Sequence, residues 1–174
     1  SQRVDVAYNA AFGLTNFTAA AWIYLTNYPT TGNSYALMGT RVGGDNTFDY
    51  KVRNVNGVMQ LHGDIGNGSA WITTAADVPS VLSLRCWHHV AYTVGNTNFT
   101  VYVDGVNVGG GSYTSSVPLF MKAGQTLLLG DSNGSTEKLR GVIDDATVFN
   151  RALSAAEMAQ VYIAGNPAST NVLP

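Results

Sequence analysis

FDYKVRNVNGVMQLHGDI, residues 48–65, alternates apolar and polar side chains on both sides of Asn56-Gly57. An Asn-Gly pair supplies the two positive φ angles of a two-residue hairpin turn, so Val55 is expected to face Val58. Counting back in twos, Phe48, Tyr50 and Val52 share a face with Met59, Leu61 and Ile65. The opposite face carries Asp49, Lys51, Arg53, Gln60, His62 and Asp64, with Asp49 facing Asp64. One apolar and one polar face describe an antiparallel strand pair with one side on a core.

The same pattern extends in both directions. YVDGVNV places Asp104-Gly105 at a second two-residue turn. Short runs of β-branched and aromatic residues predict strands over 3–8, 17–25, 34–40, 47–53, 58–65, 70–74, 87–94, 99–104, 106–109, 126–130 and 141–150. No helical period precedes residue 153. Ser154-Ala155-Ala156-Glu157 is a capping box, and AAEMAQVYIA with Gly165 and Pro167 predicts one short C-terminal helix. The expected class is all-β, an antiparallel β-sandwich, over residues 1–166, with 167–174 as a tail or linker.

With 174 residues the chain suits one domain with a substantial core. Only 11% of residues are charged against about 25% in average proteins, so Ser, Thr, Asn and Gly must supply the polar surface. Extracellular β-rich modules often have this composition, and the chain reads as secreted or cell-surface. A net charge of −2 without a basic run argues against nucleic acid. No apolar run approaches the roughly 20 residues of a membrane span. Ser1 opens no signal peptide, which reads as a mature chain or a module of a longer one. In a chain so rich in Asn and Thr, chance explains the sequons at Asn16, Asn67, Asn98 and Asn133 as well as glycosylation does.

CWHHVAYTV, residues 86–94, contains the one cysteine and two of the three histidines. On a strand, His88 and His89 leave on opposite faces and do not share a metal. Cys86 has no internal disulfide partner and reads as a buried, inert thiol. The stretch therefore reads as architecture.

Trp87-His88-His89-Val90-Ala91, Tyr102-Val103-Asp104-Gly105, Leu127-Leu128-Leu129-Gly130 and GVIDDATVFNRALSAAEM (141–158) together resemble the laminin-G-like, concanavalin A-like family. VDVAYNAAFGLTNFTAAAWIYLT (4–26) is similar to that family's first two strands. The resemblance implies a jelly roll of two curved antiparallel sheets. It also makes Trp22 and Trp87 structural, and it implies a calcium ion with Asp144 as ligand and Asp5 as a weaker second. Hydrolases on this fold carry alternating acids on one strand. Only Glu137 and Glu157 occur here, and Glu157 belongs to the capping box, so no catalytic residue is assigned.

The expected function is noncatalytic binding of a polysaccharide or oligosaccharide, as a module of a larger secreted bacterial protein alongside its other domains. The alternative is an extracellular adhesion or spacer module. Candidate ligand-binding residues are Asp49, Lys51, Arg53 and His62 on the polar hairpin face, with Trp71 facing out beside it. Tyr102, alternating with Val101 and Val103, is expected to face out as well. Arg41, Tyr28 and Tyr35 are loop candidates.

Overall fold

The computed structural model describes residues 3–41, 45–79, 82–113, 117–132 and 137–166. Eleven strands form two antiparallel sheets, as the alternation predicts. The six-stranded sheet has the order β1 (Val4–Ala7), β10 (Thr126–Leu129), β3 (Ser34–Gly39), β4 (Phe48–Val55), β5 (Val58–Gly66) and β6 (Trp71–Pro79). The five-stranded sheet has the order β11 (Gly141–Phe149), β2 (Phe17–Leu25), β7 (Trp87–Val94), β8 (Asn98–Val103) and β9 (Val106–Ser112). Helix α1 spans Ala155–Gly165. The tail 167–174 lies outside the described residues.

The β4–β5 hairpin has the expected register, with Val55 opposite Val58, Val52 opposite Leu61 and Asp49 opposite Asp64. Asn56 and Gly57 have φ of 53° and 88°, and Asp104 and Gly105 have φ of 51° and 77°, as two-residue turns of this kind require. β6 runs five residues past its expected end at 74. Its pairing with β5 shifts at Gly63/Ile65 and Ile65/Gly66, which breaks the strict alternation of the sequence.

Between the sheets, the Phe17 ring meets Phe48 and Phe120 edge-on, each at 5.0 Å. Tyr92 of β7 crosses the core towards the other sheet. Its hydroxyl points at the carbonyls of Leu61, at 3.1 Å, and Ala76, and donates its one proton to either. Gly63 lies under this ring. A Cβ there would stand 2.7 Å from Tyr92 Cε1, so the position has no room for a side chain. At one side of the sandwich β6 and β9 meet: a Cβ on Gly109 would lie 2.9 Å from Val78 Cγ1.

Helix α1 covers the outer face of the five-stranded sheet. Ser154 and Glu157 form the expected capping box. Met158 and Leu153 bury themselves against Ala20, Ala91 and Tyr102, where the two alanines let the helix approach closely. Tyr162 stacks on Trp22 with centroids 5.5 Å apart. This packing corrects the expectation for Tyr102. Its side chain leaves the core as its alternation requires, but it is only 4% exposed because α1 lies on top of it.

A candidate site on the six-stranded sheet

The polar face of the β4–β5 hairpin carries several of the candidate ligand-binding residues and lies on the side away from the core. It is buried: Asp49, Lys51, His62 and Asp64 are at most 6% exposed. Strand pairing brings them together. Asp49 faces Asp64, and Lys51 faces His62, which in turn faces Asp77 of β6. Two loops then close over the strands. Arg41, just after β3, places Nε 3.0 Å from Asp49 and Nη1 3.7 Å from Asp64. Glu137, in the segment before β11, receives Lys51 Nζ at 2.9 Å and lies 3.6 Å from Arg41 Nη2. Ser132 donates its hydroxyl to the other Glu137 oxygen. Glu137, Asp77 and Ser132 were not expected here. They come from elements far apart in sequence, and only the rarity of glutamate marked Glu137.

Burial and compensation set the charge states. Asp49 is fully buried, and desolvation pushes its carboxyl up to about 6 against the opposing pull of Lys51 and Arg41. Both cations stand 3.0 Å away, yet neither makes an aligned hydrogen bond to an Asp49 oxygen. The contact is therefore ionic rather than directional. For His62 desolvation is the largest single effect and lowers the pKa, but bonds to Asp64 and Asp77 outweigh it together and hold the ring above its ordinary value. Its Nε2 lies 3.3 Å from Asp64, and Nδ1 bonds Asp77. Desolvation also opposes ionisation of Glu137, but Ser132, Lys51 and Arg41 hold it below the usual carboxylate range.

The Asp49 value gives a signed expectation. The folded carboxyl binds its proton more tightly than the unfolded one, so its contribution to stability is greatest below about pH 4 and is lost as pH rises to about 6. Asp49→Asn removes this dependence. Across that window wild type is expected to lose on the order of 3 kcal/mol relative to the variant, read by urea melts. Parallel stability curves would show that Asp49 is not buried as described.

The other expected residues lie around this cluster or away from it. Trp71 is half-buried opposite Gly66, two residues beyond Asp64. Arg53 stands opposite Ser34 and Gln60 at the far end of β4. Tyr35 is buried in the core, and the Tyr28 hydroxyl bonds the Leu82 carbonyl at 2.7 Å. Trp22 is buried as expected, but Trp87 is 43% exposed, which corrects its reading as a packing residue, and Cys86 just before it is exposed rather than buried. His88 and His89 do leave β7 on opposite faces. His88 bonds Asp104 Oδ2 at 2.8 Å and accepts the Ser83 N–H, while His89 lies between Trp22 and Tyr162.

Asp144 sits where β11 shifts register, with Asp145 beside it at φ 47°. One Asp144 oxygen accepts the Asp145 N–H at 2.9 Å. Asp5 is held by Arg3 at 2.8 Å. Among the described residues no three His, Cys, Asp or Glu side chains converge on a metal position. A calcium ion at Asp144 would therefore depend mainly on backbone carbonyls and water, a donor set that hard cations accept.

The architecture is that of a lectin-type jelly roll. A model of the concanavalin A-like lectin/glucanase superfamily matches residues 1–159, and the chain belongs to that family. No curated protein sequence matches it. Among solved structures it is similar to a heptameric pentraxin from Limulus polyphemus, at 17% identity and TM-score 0.66, over 92% of this chain and 80% of that one. It is similar to domain 4 of an extracellular arabinanase from Geobacillus stearothermophilus in complex with arabinotriose, at 20% identity and TM-score 0.62, over 85% and 66%. A Bacteroides ovatus protein proposed to bind carbohydrate gives 17% identity and TM-score 0.71 over 97% of this chain, which spans 47% of that one. At these identities the likeness establishes the fold alone.

Proposed function

We propose that this chain is a noncatalytic carbohydrate-binding module of a larger secreted protein. The observation that carries the reading is the state of the facing acid pair. Asp49 and Asp64 are neutralised by Lys51, Arg41 and His62 and lie under Arg41 and Glu137, so neither is free to protonate a glycosidic oxygen or activate water. What meets solvent is the rim: the Arg41, Asp77 and Glu137 side chains are 29%, 27% and 21% exposed. Fixed charges of both signs suit the donor and acceptor character of sugar hydroxyls. Trp71, near Asp64, offers an aromatic surface to a ring face. Membership of a lectin-containing family and the arabinotriose complex of one structural neighbour support the same reading.

Affinity electrophoresis against neutral, uronic and sulfated polysaccharides tests it, with reducing ends assayed in the same mixtures. Retardation without new reducing ends is expected, weakened in a folded Trp71→Ala variant. Retardation by no polysaccharide favours the adhesion or spacer alternative, and new reducing ends overturn the noncatalytic assignment.

We also propose a structural calcium at Asp144. Chelation should then lower the melting temperature and added calcium should restore it. An unchanged melt, with no metal by elemental analysis, removes the ion from the account.

A further inference from the structure

The chain has nine lysines and arginines against eleven acids. Arg3, Arg41, Lys51, Lys122 and Arg151 each hold an acid at ion-pair distance. Arg53, Arg85, Lys138 and Arg140 hold none among the described residues, which include every acid in the chain. In a mildly acidic chain these four are not scattered. Lys138 and Arg140 line a cleft of about 360 Å³ with Asn27, Thr30, Asn33 and Ser34. Arg53 stands across from Ser34. The Thr26 N–H donates to the Arg140 carbonyl at 3.0 Å, and the Arg85 N–H donates to the Leu25 carbonyl at 2.8 Å, which ties both arginines to the same end of β2.

An apolar row borders this end on the outer face of the five-stranded sheet. Val142 faces Tyr24, and Tyr24 faces Trp87, across three neighbouring strands. The next rung on that face, Trp22 and His89, is covered by α1, whereas Trp87 and Val142 are 43% and 50% exposed. The Tyr24 and Trp87 rings lie 5.6 Å apart with a 55° tilt. Arg140 is two residues from Val142, so the cations begin about 7 Å along the strand from the apolar row.

We propose that this end of the sandwich binds an acidic saccharide, a glycan bearing carboxylate or sulfate groups. The proposal rests on the carbohydrate reading above and narrows it to one ligand class and a second surface. Lys138 and Arg140 neutralise the anionic groups, the asparagines and hydroxyls of the cleft hold sugar hydroxyls, and Trp87 receives the apolar face of a ring. An oligosaccharide rather than a single sugar spans both parts. An uncharged glycan would leave four cations at one end without a counter-charge, so charge complementarity selects the occupant.

The test compares polygalacturonate (carboxylate), dextran sulfate (sulfate) and neutral arabinan by affinity electrophoresis at two ionic strengths. Binding to at least one of the acidic polymers is expected to exceed binding to arabinan and to weaken with salt. Lys138→Gln/Arg140→Gln should weaken it about ten-fold or more, and Trp87→Ala should weaken it at both ionic strengths. Arg151→Gln, which removes a cation elsewhere on the surface, should change it less than two-fold. Melting curves of the variants establish that they are folded. Binding to arabinan alone, an unchanged double variant, or an equal loss in Arg151→Gln overturns the acidic-glycan site and leaves the carbohydrate reading standing. Binding to none of the three, nor to any polysaccharide of the wider panel, overturns both.

Discussion

Lys51→Met is expected to cost about 3–5 kcal/mol near neutral pH, the range for removing one partner from a buried ionic group. Lys51 is 4% exposed, and its Nζ lies 3.0 Å from Asp49, 2.9 Å from Glu137 and 3.9 Å from Asp64. Methionine fills much of the same volume, so packing is largely conserved while the charge disappears. Asp49 and Asp64 then face each other with Arg41 and His62 as the remaining cations. For a chain of this size the cost corresponds to a melting point lower by roughly 6–20 °C. The loss should shrink at pH 5, where Asp49 takes up a proton readily because burial already holds its pKa near 6. Adding Asp49→Asn should recover part of the loss at pH 7, because the two groups share one network. A Lys51→Met protein within 1 kcal/mol of wild type would mean that the cluster adds nothing to stability.

Tyr92→Ala is expected to cost about 3–5 kcal/mol, as large-to-small changes of buried aromatics do. The ring is fully buried, 4.6 Å from Tyr50 edge-on and stacked on Phe99 at 6.1 Å. Its hydroxyl is a polar tie between the sheets, directed at two carbonyls of β5 and β6. Tyr92→Phe separates the contributions. It keeps the ring over Gly63 and removes only the donor, for an expected loss of about 1–3 kcal/mol. Denaturant melts of both variants decide the matter, and a silent Tyr92→Phe would mean that water or the strand ladder satisfies those carbonyls without it.

Local chemistry made most of this fold readable in the sequence. Asn56-Gly57 sets the hairpin register, and that register alone places Asp49 opposite Asp64. The Ser154–Glu157 capping box likewise announced where α1 begins. The environment of the polar hairpin face was not readable. Whether Lys51 is solvated or sealed depends on where Arg41 and Glu137 come to rest, and neither belongs to the hairpin. The far half of β6 was missed because bulges interrupt the period on which strand reading relies. Tyr102 and Trp87 show the same limit from opposite sides. Both leave the sheet on its outer face, and the placement of one helix decides which is covered and which is exposed.

The contact between β6 and β9 bears on how the molecule behaves at high concentration. Terminal strands of open sheets are templates for a foreign strand, and many β-proteins blunt them with charge or proline. Here the two sheets turn those strands towards each other, with Val78 against Gly109, while Gly109-Gly110-Gly111 gives β9 a run of low intrinsic β-propensity. β9 stays exposed along most of its length, so what it offers an incoming chain is a glycine-rich strand, a poor partner for cross-β growth. On this side the glycine run blunts β9, while β6 carries Asp77 and ends at Pro79, the charge and the proline that discourage strand addition.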